Sequence, residues 1–176
     1  MNTWCGGAQT FKSMEKIQVG DLTLTPCAAG KSAAYFCEDS LIEINAETLN
    51  ALKGLREKRE QPQIRLNLHG SLAETLQEML IVQSRLGSYP AHKHTEKDES
   101  YQILEGALLI EIFDDSGAVI KSVELNPSKQ NAPFLFRVKK NQWHKTTPRT
   151  DIVIFKESRP GPFEGGDSVS PPWAAP

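Results

Sequence analysis

Three of the four histidines in this chain, together with one glutamate, stand at spacings that suit a metal ion. The segment reads Gly87-Ser-Tyr-Pro-Ala-His92-Lys-His94-Thr-Glu-Lys-Asp-Glu99-Ser-Tyr-Gln-Ile-Leu-Glu-Gly106, and Trp143-His144 follows later. His92 and His94 are two residues apart, so on a strand their side chains leave from the same face. Residues 95–98 form a polar connection, and Glu99 then opens an apolar run that suits a neighbouring strand. Two imidazoles and a carboxylate would converge on one point, which His144 can reach from a third strand. Three nitrogens and one oxygen suit divalent Fe, Mn, Zn, Ni or Co, with coordination positions left for water or substrate.

Two further groups carry chemistry. Tyr101 follows Glu99 by two and shares its face, which makes its hydroxyl a proton donor or substrate contact near the metal, or a packing group. In Gln63-Ile-Arg65-Leu-Asn67-Leu-His69, the leucines and Ile64 take one face of a strand. Arg65, Asn67 and His69 take the other, as a cationic strip able to hold a carboxylate or phosphate, although a lone strand histidine is ordinarily structural. Lys93, Lys97, Lys139 and Lys140 read as solvated charges. Gln77 could orient a ligand or lie on a helix surface.

Short strands must position these groups. Asn45 is a good N-cap for a helix carrying Leu49, Leu52 and Leu55, with Pro62 as its far limit. Ser71 would cap a second, short helix over residues 72–78. From Met79 the chain becomes strands separated by turns: 79–83, 89–94, 99–104, 107–113, 118–125, 134–138, 143–146 and 151–157. The sequence Asp114-Asp-Ser-Gly117 is a hairpin signal. Many short antiparallel strands point to a sandwich or jelly roll.

The His92-x-His94-x4-Glu99-x6-Gly106 run resembles the first signature of the cupin superfamily, and Val138-Lys-Lys-Asn141-Gln-Trp-His144 is similar to the second. Lys139 and Asn141 stand where that second motif has Pro and Gly. Asn is the residue besides glycine that best tolerates a left-handed turn. Within cupins the chain looks like the WbuC-type metalloproteins over roughly residues 41–176. That likeness rests on Arg65-Leu-Asn67-Leu-His69, Pro90-x-His-x-His, Phe113-Asp-Asp-Ser-Gly117, Trp143-His144 and the tail Pro172-Trp-Ala-Ala-Pro176.

The resemblance implies a mainly β protein, a cupin-type double-stranded β-helix or jelly-roll barrel with a short N-terminal helical extension. It implies one divalent transition metal inside, near one mouth. The expected layout is an extension over 1–40, loosely ordered or pairing on a sheet edge, then a helix and polar-faced strand over 41–78. The barrel occupies 79–158. The tail, 159–176, is too rich in Pro and Gly to be a strand or helix of any length, and lies on the barrel through Phe163 and Trp173.

Size and composition bound the rest. A chain of 176 residues with 39% hydrophobic residues builds one cored domain. A formal net charge of −2 with interleaved signs argues against a nucleic-acid partner. No run approaches a membrane span, and residues 1–7 show no secretory pattern, so a cytoplasmic protein is expected. Cys5, Cys27 and Cys37 are read as reduced thiols. The WbuC likeness implies a link to surface polysaccharide biosynthesis but no defined reaction; the leading expectation is a metal-dependent enzyme acting on a small-molecule substrate, a sugar or sugar nucleotide, with isomerase- or epimerase-like chemistry. An Fe(II) dioxygenase and a non-catalytic metal-stabilised binding protein remain alternatives. A homodimer through edge strands is an expectation by analogy.

Overall fold

A computed structural model describes residues 15–27 and 33–173; Cys5 and the last three residues of the tail motif lie outside this range. The strands are β1 (Ile17–Val19), β2 (Leu22–Cys27), β3 (Ala33–Cys37), β4 (Gln63–Asn67), β5 (Leu76–Ser84), β6 (Lys93–His94) and β7 (Glu99–Glu105). They continue with β8 (Leu108–Phe113), β9 (Val119–Leu125), β10 (Leu135–Val138), β11 (Trp143–Pro148), β12 (Ile152–Pro160) and β13 (Ser168–Val169). A single helix among the described residues, α1 (Ala46–Lys58), separates β3 from β4.

One sheet runs β1-β2-β3-β4-β5-β12-β7-β10, a second β11-β8-β9, and a third pairs β13 with β6. A bridge between His92 and His144 ties the small sheet to β11. All pairings are antiparallel except β3 with β4. This is the jelly-roll barrel, with the β1–β3 segment extending the large sheet beyond it.

The central strands of the large sheet are buried on both faces, for different reasons. Ile64, Leu66, Leu80, Val82 and Ile154 join Leu52 of α1 and Leu22 and Leu24 in one core. Met79, Ile81, Tyr101, Ile103 and Phe155 point the other way and meet Leu108, Ile110 and Ile112 of the second sheet in another. The helix forms where its cap predicts: the Asn45 side chain accepts from the Thr48 amide at 3.0 Å.

Three expected elements differ. Residues 72–78 form turns and the start of β5 rather than a helix. Seven residues make a marginal helix on their own, whereas β12 extends to Pro160 and offers Leu76, Gln77 and Glu78 a full ladder. Gln77 is therefore buried in a strand, its amide nitrogen donating to the Leu72 carbonyl. The 89–94 strand shrinks to Lys93–His94, as Pro90 lacks the N–H a ladder needs. The tail is not wholly irregular: β12 includes Arg159 and Pro160, and Ser168–Val169 pair with β6.

Candidate metal centre

His94 lies on β6 and Glu99 begins β7; the two are joined by the turn at residues 95–98. Arg137 and the Lys140 amide both hold Asp98 in that turn, at 2.7 and 3.0 Å. His144 sits on β11, opposite Ile112 of β8. The turn before it is made by Asn141, whose φ of 64° is the left-handed conformation that asparagine tolerates. The Asn141 amide donates to the His94 carbonyl at 2.7 Å, so the two motif turns brace each other. At the far end of β7, Gly106 has φ 80°, and a Cβ there would stand 2.5 Å from the Ile152 carbonyl oxygen. Only glycine fits.

One ligand atom from each of His92, His94, Glu99 and His144 lies within 4.8 Å of the others. The tautomers follow from the partners. Each Nδ1 faces a backbone carbonyl: Pro90 for His92 at 3.2 Å, Asp167 for His94 at 3.3 Å, Gln142 for His144 at 2.9 Å. A carbonyl only accepts, so each Nδ1 carries the proton and each Nε2 presents a lone pair. His94 and His144 aim those nitrogens at Glu99, at 2.8 and 3.2 Å. The buried His94 Nε2 nevertheless has no aligned hydrogen bond. Lone pairs and a carboxylate crowded around one point, without protons between them, are what a divalent cation satisfies. The residues fit a metal ion.

The electrostatics agree. Burial and the neighbouring His144 push His92 down to about 4, so it is a neutral donor at ordinary pH. Burial alone would raise the Glu99 carboxyl, but positive charge on the His144 and His94 rings, the place a cation would take, outweighs it and holds Glu99 well below the usual range. Burial pulls His94 down, and its contact with Glu99 outweighs that and raises it. Tyr101 donates to Glu99 Oε2 at 2.6 Å, and its oxygen lies 3.3 Å from His144 Nε2. Burial and the Glu99 charge push its phenol well up, keeping it protonated.

His92, His94, Glu99 and Tyr101 line a cavity of about 330 Å³, whose wall beside them carries Arg65, Glu157 and Arg159. The structure divides the strip read from β4. Arg65 lines the cavity; Asn67 and His69 are buried away from it. His69 packs edge-on to Phe36, and its Nδ1 donates to the Glu78 carbonyl at 3.1 Å. Chain direction explains this: His69 follows the end of β4, past the strand's last paired residue. Lys97 is not a solvated charge. It is largely buried, donates to the Pro162 carbonyl and lies 3.4 Å from Asp167. Lys93 lies over the Trp143 ring at 4.2 Å.

Glu157 and Arg159 are functional candidates that the sequence reading passed over. A signal was present: Val153, Phe155, Glu157 and Arg159 alternate, so two charges follow two apolar residues on an inward face. The tail then reaches the site. Phe163 packs under the Arg159 guanidinium, Ser168 and Ser170 line the cavity, and Trp173 sits against Gly117, Phe113 and Trp143.

Fold and site together define a jelly-roll barrel with a His₃Glu cluster able to bind a metal. A family model described as a domain of unknown function (DUF6016) matches residues 44–125. No curated protein matches the sequence. Among solved structures the chain is similar to protein SO0799 from Shewanella oneidensis: 14% identity over 56% of this chain and 63% of that chain, TM-score 0.46. It is also similar to KdgF from Halomonas sp., with 14% identity over 56% and 78% and a TM-score of 0.44. A cupin-2 domain containing protein from Shewanella frigidimarina gives 21% identity over 49% and 72%, with a TM-score of 0.39. The chain spans less than two thirds of the first of these. No helix among the described residues is long and apolar enough to cross a membrane.

Proposed function

We propose that the protein is a metal-dependent enzyme acting on a sugar or sugar nucleotide, with isomerase- or epimerase-like chemistry. The observation that carries this is the placement of a neutral, buried Tyr101 hydroxyl against Glu99, at the wall of a cavity of ligand size. The WbuC-type likeness of the motifs supports a link to surface polysaccharide biosynthesis.

A divalent ion held by His92, His94, Glu99 and His144 would supply Lewis acidity at a substrate carbonyl or enediolate oxygen. The chain's own residues do the rest. Tyr101 holds a proton beside that point and can hydrogen-bond a developing oxyanion. Glu157, its cross-strand neighbour, presents a carboxylate that can take or return a proton. Phe163 and the tail residues Ser168 and Ser170 line the cavity and narrow its opening to water.

The test uses protein loaded in turn with Mn, Fe, Zn, Ni and Co, and a panel of sugars and sugar nucleotides. Thermal stabilisation by at least one sugar is expected, since a ligand at 100 times its Kd adds about 2.7 kcal/mol. Metal-dependent exchange of a substrate C–H with deuterated water, seen by NMR, is the expected chemistry. Substrate-dependent oxygen uptake by the Fe(II) form would instead make it a dioxygenase. Stability that depends on metal and on no sugar would make it a binding protein.

A further inference from the structure

The cavity holds charge that the protein does not use. Arg65 makes no ion pair or side-chain hydrogen bond with any described residue, and its Nε is buried without a partner. Arg159 is 8% exposed, and its Nε is also buried without a partner. Its single ion pair among the described residues is with Glu99, at 3.6 Å, and its guanidinium is stacked on Phe163. Glu157, also 8% exposed, accepts no hydrogen bond from any described side chain or amide. Buried charged groups are normally paired, because an unpaired one costs several kcal/mol. Arg65, half-buried with its Nε unmatched, and Arg159, whose Nε is unmatched beside one ion pair, leave donor capacity on the cavity wall that a ligand can take up.

Sheet register places the three groups together. Arg65 of β4 lies in one row with Ile81 and Phe155. Glu157 stands in the next row, between Met79 and Tyr101, and Arg159 is two residues further along β12. Both guanidiniums therefore reach the cavity from the wall beside Tyr101, with Glu157 between them. Two arginines against Glu99 and Glu157, with a divalent ion added, leave the cavity net positive. A positive cleft concentrates anions, and guanidinium forks match the two oxygens of a carboxylate or phosphate.

Resting on the reading above, we infer that the substrate is an anionic sugar of monosaccharide size, whose acidic group is bound between Arg65 and Arg159 and one of whose hydroxyls donates to Glu157. The size follows from the cavity, whose 330 Å³ is at the small end for ligand sites. A carboxylate and a phosphate satisfy the same forks, and the test separates them.

Binding to the metal-loaded protein is measured by calorimetry for three probes of one ring size: glucose, glucuronate and glucose 6-phosphate. One of the two anions is expected to bind at least about ten-fold tighter than glucose, and which one identifies the acidic group. Arg65→Met is expected to abolish that preference, with metal content unchanged. Arg159→Met should do the same. Should it fail to fold beside Glu99, Arg65→Met alone decides. Glucose binding as tightly as both anions, or a preference that survives in Arg65→Met, would overturn this inference and leave the sugar reading standing. No binding of any probe, nor of any sugar in the wider panel, would overturn both.

Discussion

The two faces of the β4–β5–β12 sheet are built from the same strands and follow opposite rules. On the face under α1, Ile64, Leu66, Leu80, Val82 and Ile154 bury hydrocarbon against Leu52, Leu22 and Leu24. On the inward face the apolar residues Met79, Ile81 and Phe155 share the sheet with Arg65, Glu157 and Arg159, and the Nε atoms of both arginines lack a partner. The covered face can afford the site: its burial stabilises the fold, and the cavity face spends part of that stability on charges waiting for ligands. Stability and chemistry should therefore separate by face when residues are changed.

The largest expected effect is on the covered face. Leu52→Ala, 1% exposed, should lose about 2–5 kcal/mol in denaturant unfolding. Metal bound per folded molecule should not change; a parallel loss of metal would show that the faces are not independent. On the cavity face, Tyr101→Phe should keep its metal and fold, yet slow the metal-dependent proton exchange by roughly 100-fold, a typical loss for a positioned acid. A variant as fast as the parent would remove Tyr101 from the chemistry.

A smaller effect is expected one shell further out. The Asp167 backbone carbonyl accepts from His94, and its side chain is 3.6 Å from the same nitrogen. Asp167→Asn should weaken metal binding by about ten-fold in chelator competition, as outer partners of a ligand usually do. The smallest change tests the turn alone. Asn141→Ala puts a less tolerant residue at φ 64° and should cost about 1 kcal/mol in unfolding. Asn141→Gly should cost nothing. His69→Gln, away from the cavity, should leave metal and sugar binding where they were.

What the sequence made legible is what local spacing controls. Period-two placement of His92 and His94, the polar turn to Glu99, and the Gly106 turn are short-range, and the structure brings the four groups together. Asn141 at positive φ follows from its own conformational freedom. The 72–78 segment departs from its local helix signal because a partner strand, β12, some eighty residues away, overrides it. Asn67 and His69 fell away from the cavity for a similar reason: strand alternation predicts a face, and the sheet decides how far along that face the cavity extends. Arg159 sat at a boundary where a proline-rich tail was expected, although Phe155, Glu157 and Arg159 alternate as clearly as the residues of β4. Lys97 shows the same limit, since its partners, Pro162 and Asp167, come from the tail folding back.

The central claim is that His92, His94, Glu99 and His144 share one cation. Elemental analysis of untagged protein, purified without chelators, tests it directly beside a folded Glu99→Ala variant. About one equivalent of a first-row transition metal per chain is expected in the parent, and a small fraction of that in the variant. A folded parent that retains no metal and takes none up on titration would contradict the claim. So would a variant that binds as much metal as the parent.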